Sequence, residues 1–317
     1  MGWFYKKNVL VTGAAGITGH SAVRRLLNEG SYDKAVVYNT RALNIPDHPN
    51  LEIVRADLHS YEQCLKLTKD MDVVFNFVAY IRGAKSQTES PIDLVRNNIV
   101  PTINMMDASV KSKVDRFGFV GSSTMYPDVE YPVKEIEGFD DEPHSAYTGV
   151  GWMKRYAEKV CQHFNEISNT KFGMVRTTAM YGPNDNFNER GHVIPQLIMK
   201  ADSGMNPFEI WGDGSQVRDF IYVDDLIDTL LLVTEHEANA TPFNVASGIP
   251  STVTELVETI TDIYDYTPIF KYDNSKPVMI PKRLVDVSKI TKRFNWKPKH
   301  SLREGLEKTI EWYKENK

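Results

Sequence analysis

The sequence predicts an α/β fold: a Rossmann-type doubly wound parallel sheet with a smaller C-terminal substrate-binding lobe. Three observations carry that expectation. Short β-branched or apolar runs alternate with amphipathic helical patterns through the first half of the chain. The first run ends in a glycine-rich turn that opens a helix. Beyond Tyr181 the pattern loosens into long loops, short strands and frequent Pro and Gly. The expected division is 1–180 as the dinucleotide-binding domain and 181–317 mainly as the substrate lobe, with some segments returning to the sheet.

The elements follow in order. Asn8 to Thr12 is a β-branched strand. It ends in Gly13-Ala14-Ala15-Gly16-Ile17-Thr18-Gly19, and Ala22, Val23, Leu26 and Leu27 then share one helical face closed by Gly30. Glycines allow a tight turn and close approach to a pyrophosphate, which sits on the free N–H groups and positive end of the helix. A second strand, Ala35 to Tyr38, ends in Asn39-Thr40-Arg41. A carboxylate there would bind a ribose 2′-hydroxyl, whereas an arginine suits a 2′-phosphate. Arg41 therefore favours NADP(H) over NAD(H), unless it is a solvated loop residue.

A third strand spans Leu51 to Leu58, where Asp57 either accepts from an adenine amino group or caps the next helix. Asp72 to Ala79 is a near-continuous apolar run of the kind buried in a parallel sheet. A helix from Asn97 to Lys111 leads to a fifth strand, Arg116 to Gly121. The strand exits into Ser122-Ser123-Thr124-Met125-Tyr126-Pro127. Those hydroxyls either face the crevice at the strands' carboxyl ends or merely cap a turn. Later elements are a helix from Lys154 to Asn165, a sixth strand Phe172 to Arg176, short strands Phe208 to Trp211 and Phe220 to Val223, and helices Leu226 to Thr234, Thr252 to Ile263 and Leu302 to Tyr313.

Composition narrows the functional class. The 317 residues are 41% hydrophobic and 25% charged, with a net charge of -5, which argues against a nucleic-acid-binding face. Cys64 and Cys161 have no paired spacing, so neither a disulfide scaffold nor a metal site is expected, and a reducing cytoplasm is the default. No apolar run approaches the ~20 residues needed to span a bilayer. The strand-like run begins within ten residues of the start, so no signal peptide is expected.

Taken together, GxxGxxG, Asp57, Asn98, Ser122-Ser123-Thr124 and Lys154 in this order resemble the extended short-chain dehydrogenase/reductase superfamily over essentially the whole chain. Tyr181-Gly182-Pro183-Asn184-Asp185-Asn186-Phe187, Gly191-His192-Val193-Ile194-Pro195, Trp211-Gly212-Asp213-Gly214, Arg218 to Asp225 and Pro281 to Asp286 are similar to its nucleotide-sugar branch, the GDP-fucose synthase-like enzymes above all. The resemblance implies cofactor contacts at Gly13, Gly16, Ile17, Gly19, Asn39, Arg41, Asp57, Leu58, Ala79, Asn98, Lys154 and Thr177. It implies substrate contacts at Asn186, Lys200, Arg218 and Arg283, the cations facing a diphosphate. Ser122 would hold the reacting oxygen, Lys154 would bind the nicotinamide ribose and lower the pKa of the acid, and His192 would match an acid used in epimerisation. A homodimer through helices ending near Lys111 and carrying Lys154 is also implied.

Two departures bear on mechanism. Thr124 stands where the fucose synthases carry a cysteine, and a hydroxyl is a far weaker base than a thiolate. This favours net reduction of a 4-keto sugar over double epimerisation, with 4-epimerisation as the alternative. The family tyrosine, four residues before the lysine, falls on Val150. Tyr147 lies seven residues before Lys154, roughly 10 Å along a regular helix. Gly149 and Gly151 lower helix propensity, so a late or bulged helix start would let Tyr147 reach the reacting oxygen. Tyr126 and His192 are the other candidate proton carriers, and loss of the acid with only binding retained is the non-catalytic alternative.

Overall fold

The computed structural model describes residues 2–37, 45–80, 91–188, 191–276 and 280–317. Its main sheet contains β1 (Asn8–Thr12), β2 (Tyr32–Val37), β3 (Leu51–Arg55), β4 (Val73–Asn76), β5 (Arg116–Ser122), β6 (Lys171–Thr177) and β10 (Pro242–Val245). The order is β3-β2-β1-β4-β5-β6-β10, and every neighbouring pair is parallel. β4 is fully buried, as expected of a strand covered on both faces.

Helices cover both faces. On one side α1 (Ile17–Glu29) and α6 (Val223–His236) press Leu26, Leu226 and Leu230 against Val11, Phe75 and Val175. On the other, α2 (Tyr61–Thr68), α3 (Pro91–Lys111) and α4 (Thr148–Ile167) bring Cys64, Met105, Met106 and Cys161 onto Leu10, Phe117 and Phe172. Both cysteines are therefore small core residues.

A third core lies among α5 (Val193–Asp202), α7 (Val253–Ile263) and α9 (Leu302–Asn316), with β8 (Phe208–Trp211) and β9 (Val217–Tyr222). Here β9 pairs with β7 (Ala179–Tyr181), β11 (Pro250–Thr252) and β13 (Lys282–Arg283), while β8 pairs with β12 (Phe270–Asp273). The short α8 (Ser288–Phe294) places Ile290 under the main sheet.

Several boundaries differ from the sequence reading for identifiable reasons. α3 begins at Pro91 rather than Asn97, and proline at a first helical position loses no hydrogen bond. Val223 opens α6 instead of ending a strand, with Asp224 and Asp225 in its first turn. Thr252 is the cap of α7, its hydroxyl accepting from Glu255 N while the Glu255 carboxylate accepts from Thr252 N. The apolar residues 77–79 leave β4 and form the crest of the sheet.

Candidate functional site

The glycine turn comes first along the chain. Gly13 has φ +62°, and a Cβ there would lie 2.6 Å from the Phe77 carbonyl oxygen, so only glycine lets the turn lie against the crest. Thr12 ties the same two segments together: its hydroxyl donates to Asn76 Oδ1 at 2.6 Å and accepts from Phe77 N at 3.1 Å. The N-terminus of α1 has no side-chain cap and no acidic residue in its first turn. Its leading N–H groups, including those of Ile17 and Gly19, thus remain a positive, uncapped end. Thr177, at the carboxyl end of β6, is buried with a hydroxyl that has no partner. Ala79 is exposed on the crest. An uncapped helix end, a glycine cradle and an orphaned hydroxyl along one sheet edge fit a dinucleotide cofactor.

Three expected cofactor contacts also have partners within the chain. Asn98 clamps the backbone of Tyr80, accepting from its N–H at 2.9 Å and donating to its carbonyl at 3.0 Å, and also donates to Leu94 O. Those bonds fix the backbone of the crest at Tyr80. Asp57 does not cap α2; Ser60 does, while Asp57 accepts from the backbone and ring of His59. That pair of bonds holds the Asp57 carboxyl below its usual range. Leu58 turns its side chain into the core, with its carbonyl accepting from Asn104 Nδ2. Asn39 and Arg41 lie outside the described residues.

At the exit of β5, Ser122 caps a 3-10 turn, accepting from Thr124 N at 3.2 Å and from the Thr124 hydroxyl at 3.0 Å. Ser122 stands beside Thr177 in the β5–β6 register. Lys154 reaches the same strand from α4, donating to Val120 O at 3.0 Å with its ammonium 5.3 Å from the Phe119 ring. Burial lowers its pKa to about 8. Gly151 explains how α4 comes so close: a Cβ there would sit 2.8 Å from Thr124 O and 2.5 Å from Pro143 Cβ. Tertiary approach outweighs its poor helix propensity.

The proton-carrier candidates separate. The helix does not bulge, but it begins only at Thr148, directly after a 3-10 turn over Ser145–Tyr147, so Tyr147 is its cap residue and stands outside the regular helix. The Tyr147 ring lies 4.2 Å from the Arg283 guanidinium, so it turns toward the smaller sheets. Tyr126 is not available for proton transfer. It is buried, donates to Asn244 Oδ1 at 2.5 Å, and accepts from Arg176 Nη1 at 2.7 Å; burial pushes its pKa far up. His192 caps α5 with 44% of its side chain exposed, its Nδ1 3.8 Å from Asp185 Oδ1. Asp185 raises the imidazole pKa, and its own buried Oδ2 is left without a partner.

The cations form two groups. Arg218 and Arg283 are register partners on β9 and β13. Arg218 donates to the carbonyls of Val217, Pro281 and Ile280, whereas Arg283 donates to none of the described residues. Desolvation lowers both pKa values, that of Arg283 to about 10. Such a pair calls for an anion. Lys200 belongs elsewhere: its ammonium donates to Glu209 O at 2.8 Å and is 5.9 Å from the Trp211 ring. Trp211 is 45% exposed, with Lys276 5.8 Å away on the same ring. Sequence reading gave no site role to Trp211, Lys276, Asp128 or His144, although Asp128 and His144 pair beside the Tyr147 turn. Asn186 Oδ1 accepts from Asn188 Nδ2. Among the described residues no cluster of metal ligands occurs, and no helix is long and apolar enough to cross a membrane.

The chain is 31% identical to a probable GDP-L-fucose synthase 1 of Oryza sativa subsp. japonica over 97% of its length and 92% of that protein. It is 30% identical to the GDP-L-fucose synthase of Escherichia coli K12 over 98% of both chains. The structure of a UDP-N-acetylglucosamine 4-epimerase from Methanobrevibacter ruminantium M1, in complex with UDP-N-acetylmuramic acid, superposes with a TM-score of 0.88 at 28% identity, covering 99% of this chain and 100% of that one. The family model for NAD dependent epimerase/dehydratases matches residues 9–246. With that match spanning the glycine turn, Ser122, Lys154 and Thr177, the chain belongs to the NAD dependent epimerase/dehydratase family of enzymes.

Proposed function

We propose that this enzyme is an NAD(P)-dependent oxidoreductase acting at C4 of a nucleotide-linked sugar, GDP-linked by preference, and that it reduces a 4-keto group. The observation that carries the reading is the meeting of two polar groups at the start of α4. Ser122, Lys154 and Thr177 have unused hydrogen-bonding capacity at one sheet edge, and Tyr147, the cap residue of the helix that carries Lys154, lies against Arg283, which with Arg218 forms a desolvated cation pair suited to a diphosphate. The names of two relatives, both GDP-L-fucose synthases, support the guanine nucleotide.

The bound cofactor would supply the hydride. Within the chain, the α1 N-terminus would hold the pyrophosphate and Thr177 would receive a hydrogen bond from the nicotinamide end or give one to it. Lys154, released from Val120 O, would hold the ribose. Ser122 would hold the sugar oxygen, and Tyr147 beside Arg283 would hand over the hydroxyl proton. Trp211, flanked by Lys200 and Lys276, would offer the nucleobase a stacking face. The enzyme would work as a cytoplasmic homodimer through α3 and α4.

A second reading, 4-epimerisation on one retained cofactor, is favoured by the likeness to the 4-epimerase structure. Mixing with GDP- and UDP-linked 4-keto sugars, and separately with the corresponding 4-hydroxy sugars, while following nicotinamide absorbance decides between them. Stoichiometric NADPH or NADH consumption supports reduction. Product without net cofactor change supports epimerisation, and binding without either supports the non-catalytic alternative that Val150 raises.

A further inference from the structure

Ser122 receives two hydrogen bonds from one residue, the N–H and the hydroxyl of Thr124. A hydroxyl has two lone pairs and one hydrogen. Both lone pairs are thereby taken, and no described residue accepts the remaining hydrogen. Thr124 cannot drift from this arrangement. Gly151 brings α4 against its carbonyl oxygen, and the next carbonyl, Met125 O, is gripped by Arg155 Nε at 2.9 Å. Arg155 is itself buried and donates to Asp141 O as well.

We propose that Thr124 is a positioning residue that fixes Ser122 as a pure hydrogen-bond donor, making the site selective for a sugar ketone over the corresponding alcohol. The inference rests on the reading that Ser122 faces the reacting oxygen. A carbonyl oxygen, and the alkoxide it becomes when hydride adds to its carbon, both require a donor at that point. An incoming alcohol can accept the same hydrogen bond but cannot place its own proton on Ser122, which has no lone pair left to offer, and so depends on Tyr147 alone for an acceptor. Thr124 thus does more than remove a thiol from this position. It sets the direction in which the serine hydroxyl points.

The test compares Thr124→Val, which keeps the shape and removes the hydroxyl, with Thr124→Ser, which keeps the hydroxyl, and with Ser122→Ala. Turnover is measured with a GDP-linked 4-keto-6-deoxyhexose and NADPH. Affinity for that ketone and for its 4-hydroxy counterpart is measured by titration calorimetry with oxidised cofactor. The expected result is a roughly tenfold loss of kcat in Thr124→Val with KM little changed, recovery in Thr124→Ser, and no further loss when Thr124→Val is added to Ser122→Ala. The ketone-over-alcohol affinity ratio should fall in Thr124→Val and hold in Thr124→Ser. A packing role alone would weaken both ligands together and leave the ratio intact. Thr124→Val matching wild type in kcat and ratio, with Ser122→Ala impaired, overturns this proposal alone. Ser122→Ala matching wild type overturns the reading on which it rests.

Discussion

Two polar clusters sit one helical turn apart along α4, and they have opposite fates. Around Glu158 every group is satisfied. Its carboxylate receives Arg176 Nε at 2.9 Å and Nη2 at 2.6 Å, while Arg176 Nη1 donates to Tyr126 and to Glu135 O at 2.7 Å. Asn244 closes the set, accepting from Tyr126 and donating to Val133 O and Asp286 O. Around Lys154 the groups are left over: an ammonium facing a carbonyl and a ring, a serine hydrogen without an acceptor, a buried threonine hydroxyl without a partner. The first cluster ties α4, β6 and β10 to the loops at Tyr126, at 133–135 and at Asp286. The second keeps its capacity for something that arrives. The difference teaches that two polar clusters on one helix can differ in residual hydrogen-bonding capacity, and it is the capacity around Lys154 that the proposed site would use.

That contrast can be broken most directly at its ion pair. Arg176→Met should leave Glu158 buried and unpaired and lower unfolding free energy by about 3–5 kcal/mol in urea titrations. Lys154→Met should do the reverse, reducing turnover about 100-fold or more while the urea midpoint holds or rises, since a desolvated cation has been removed. Equal stability losses in the two variants would erase the distinction.

The tyrosines sharpen it. Tyr126→Phe should cost about 1–3 kcal/mol of stability, because Asn244 and Arg176 each lose a partner, with turnover kept. Tyr147→Phe should cut turnover and leave stability alone; an undiminished Tyr147→Phe enzyme would remove that residue from the chemistry.

A smaller effect is the pH dependence of Lys154. Its pKa falls from 10.5 in the unfolded chain to about 8 in the fold. Between those values the unfolded state binds more protons, so stability should rise with pH across that window. The rise should be missing in Lys154→Met when urea midpoints are compared at pH 7.5 and ~10. Activity that needs the ammonium should fall above about pH 8.

The smallest expected change is at His192. Asp185→Asn should lower the imidazole pKa, seen as a shifted NMR titration of that ring, because the neighbouring carboxylate now raises it. An unmoved titration would show that the 3.8 Å separation carries no coupling.

The parallel sheet and the position of Lys154 were legible in the sequence because both depend on local signals: β-branched runs, a glycine turn and a count along one helix. What depended on distant chain segments was not. Tyr147 meets Arg283 only because β13 returns beside β9, and no spacing around residue 147 announces that. Gly151 looked like a weak helix former, whereas its lack of a side chain is what admits Thr124. The place of Tyr126 after β5 leaves a crevice residue and a turn residue both open, and it is Arg176 and Asn244, far along the chain, that draw its hydroxyl inward. Lys200 had the right charge, but its amine is taken by a carbonyl on the neighbouring strand.

The edge strand β10 has a consequence for synthesis of the chain. It joins the sheet beyond β6 and brings Asn244 to the Arg176 network, yet about 60 residues separate it from the end of β6. At typical translation speeds that stretch takes roughly 3–12 s to emerge. For that interval β6 presents an open parallel edge, and Tyr126 lacks the acceptor that anchors it. The nascent sheet therefore passes through a seconds-long window in which another chain could pair with it, and its protection during that window depends on how quickly the small lobe lets residues 242–245 come home.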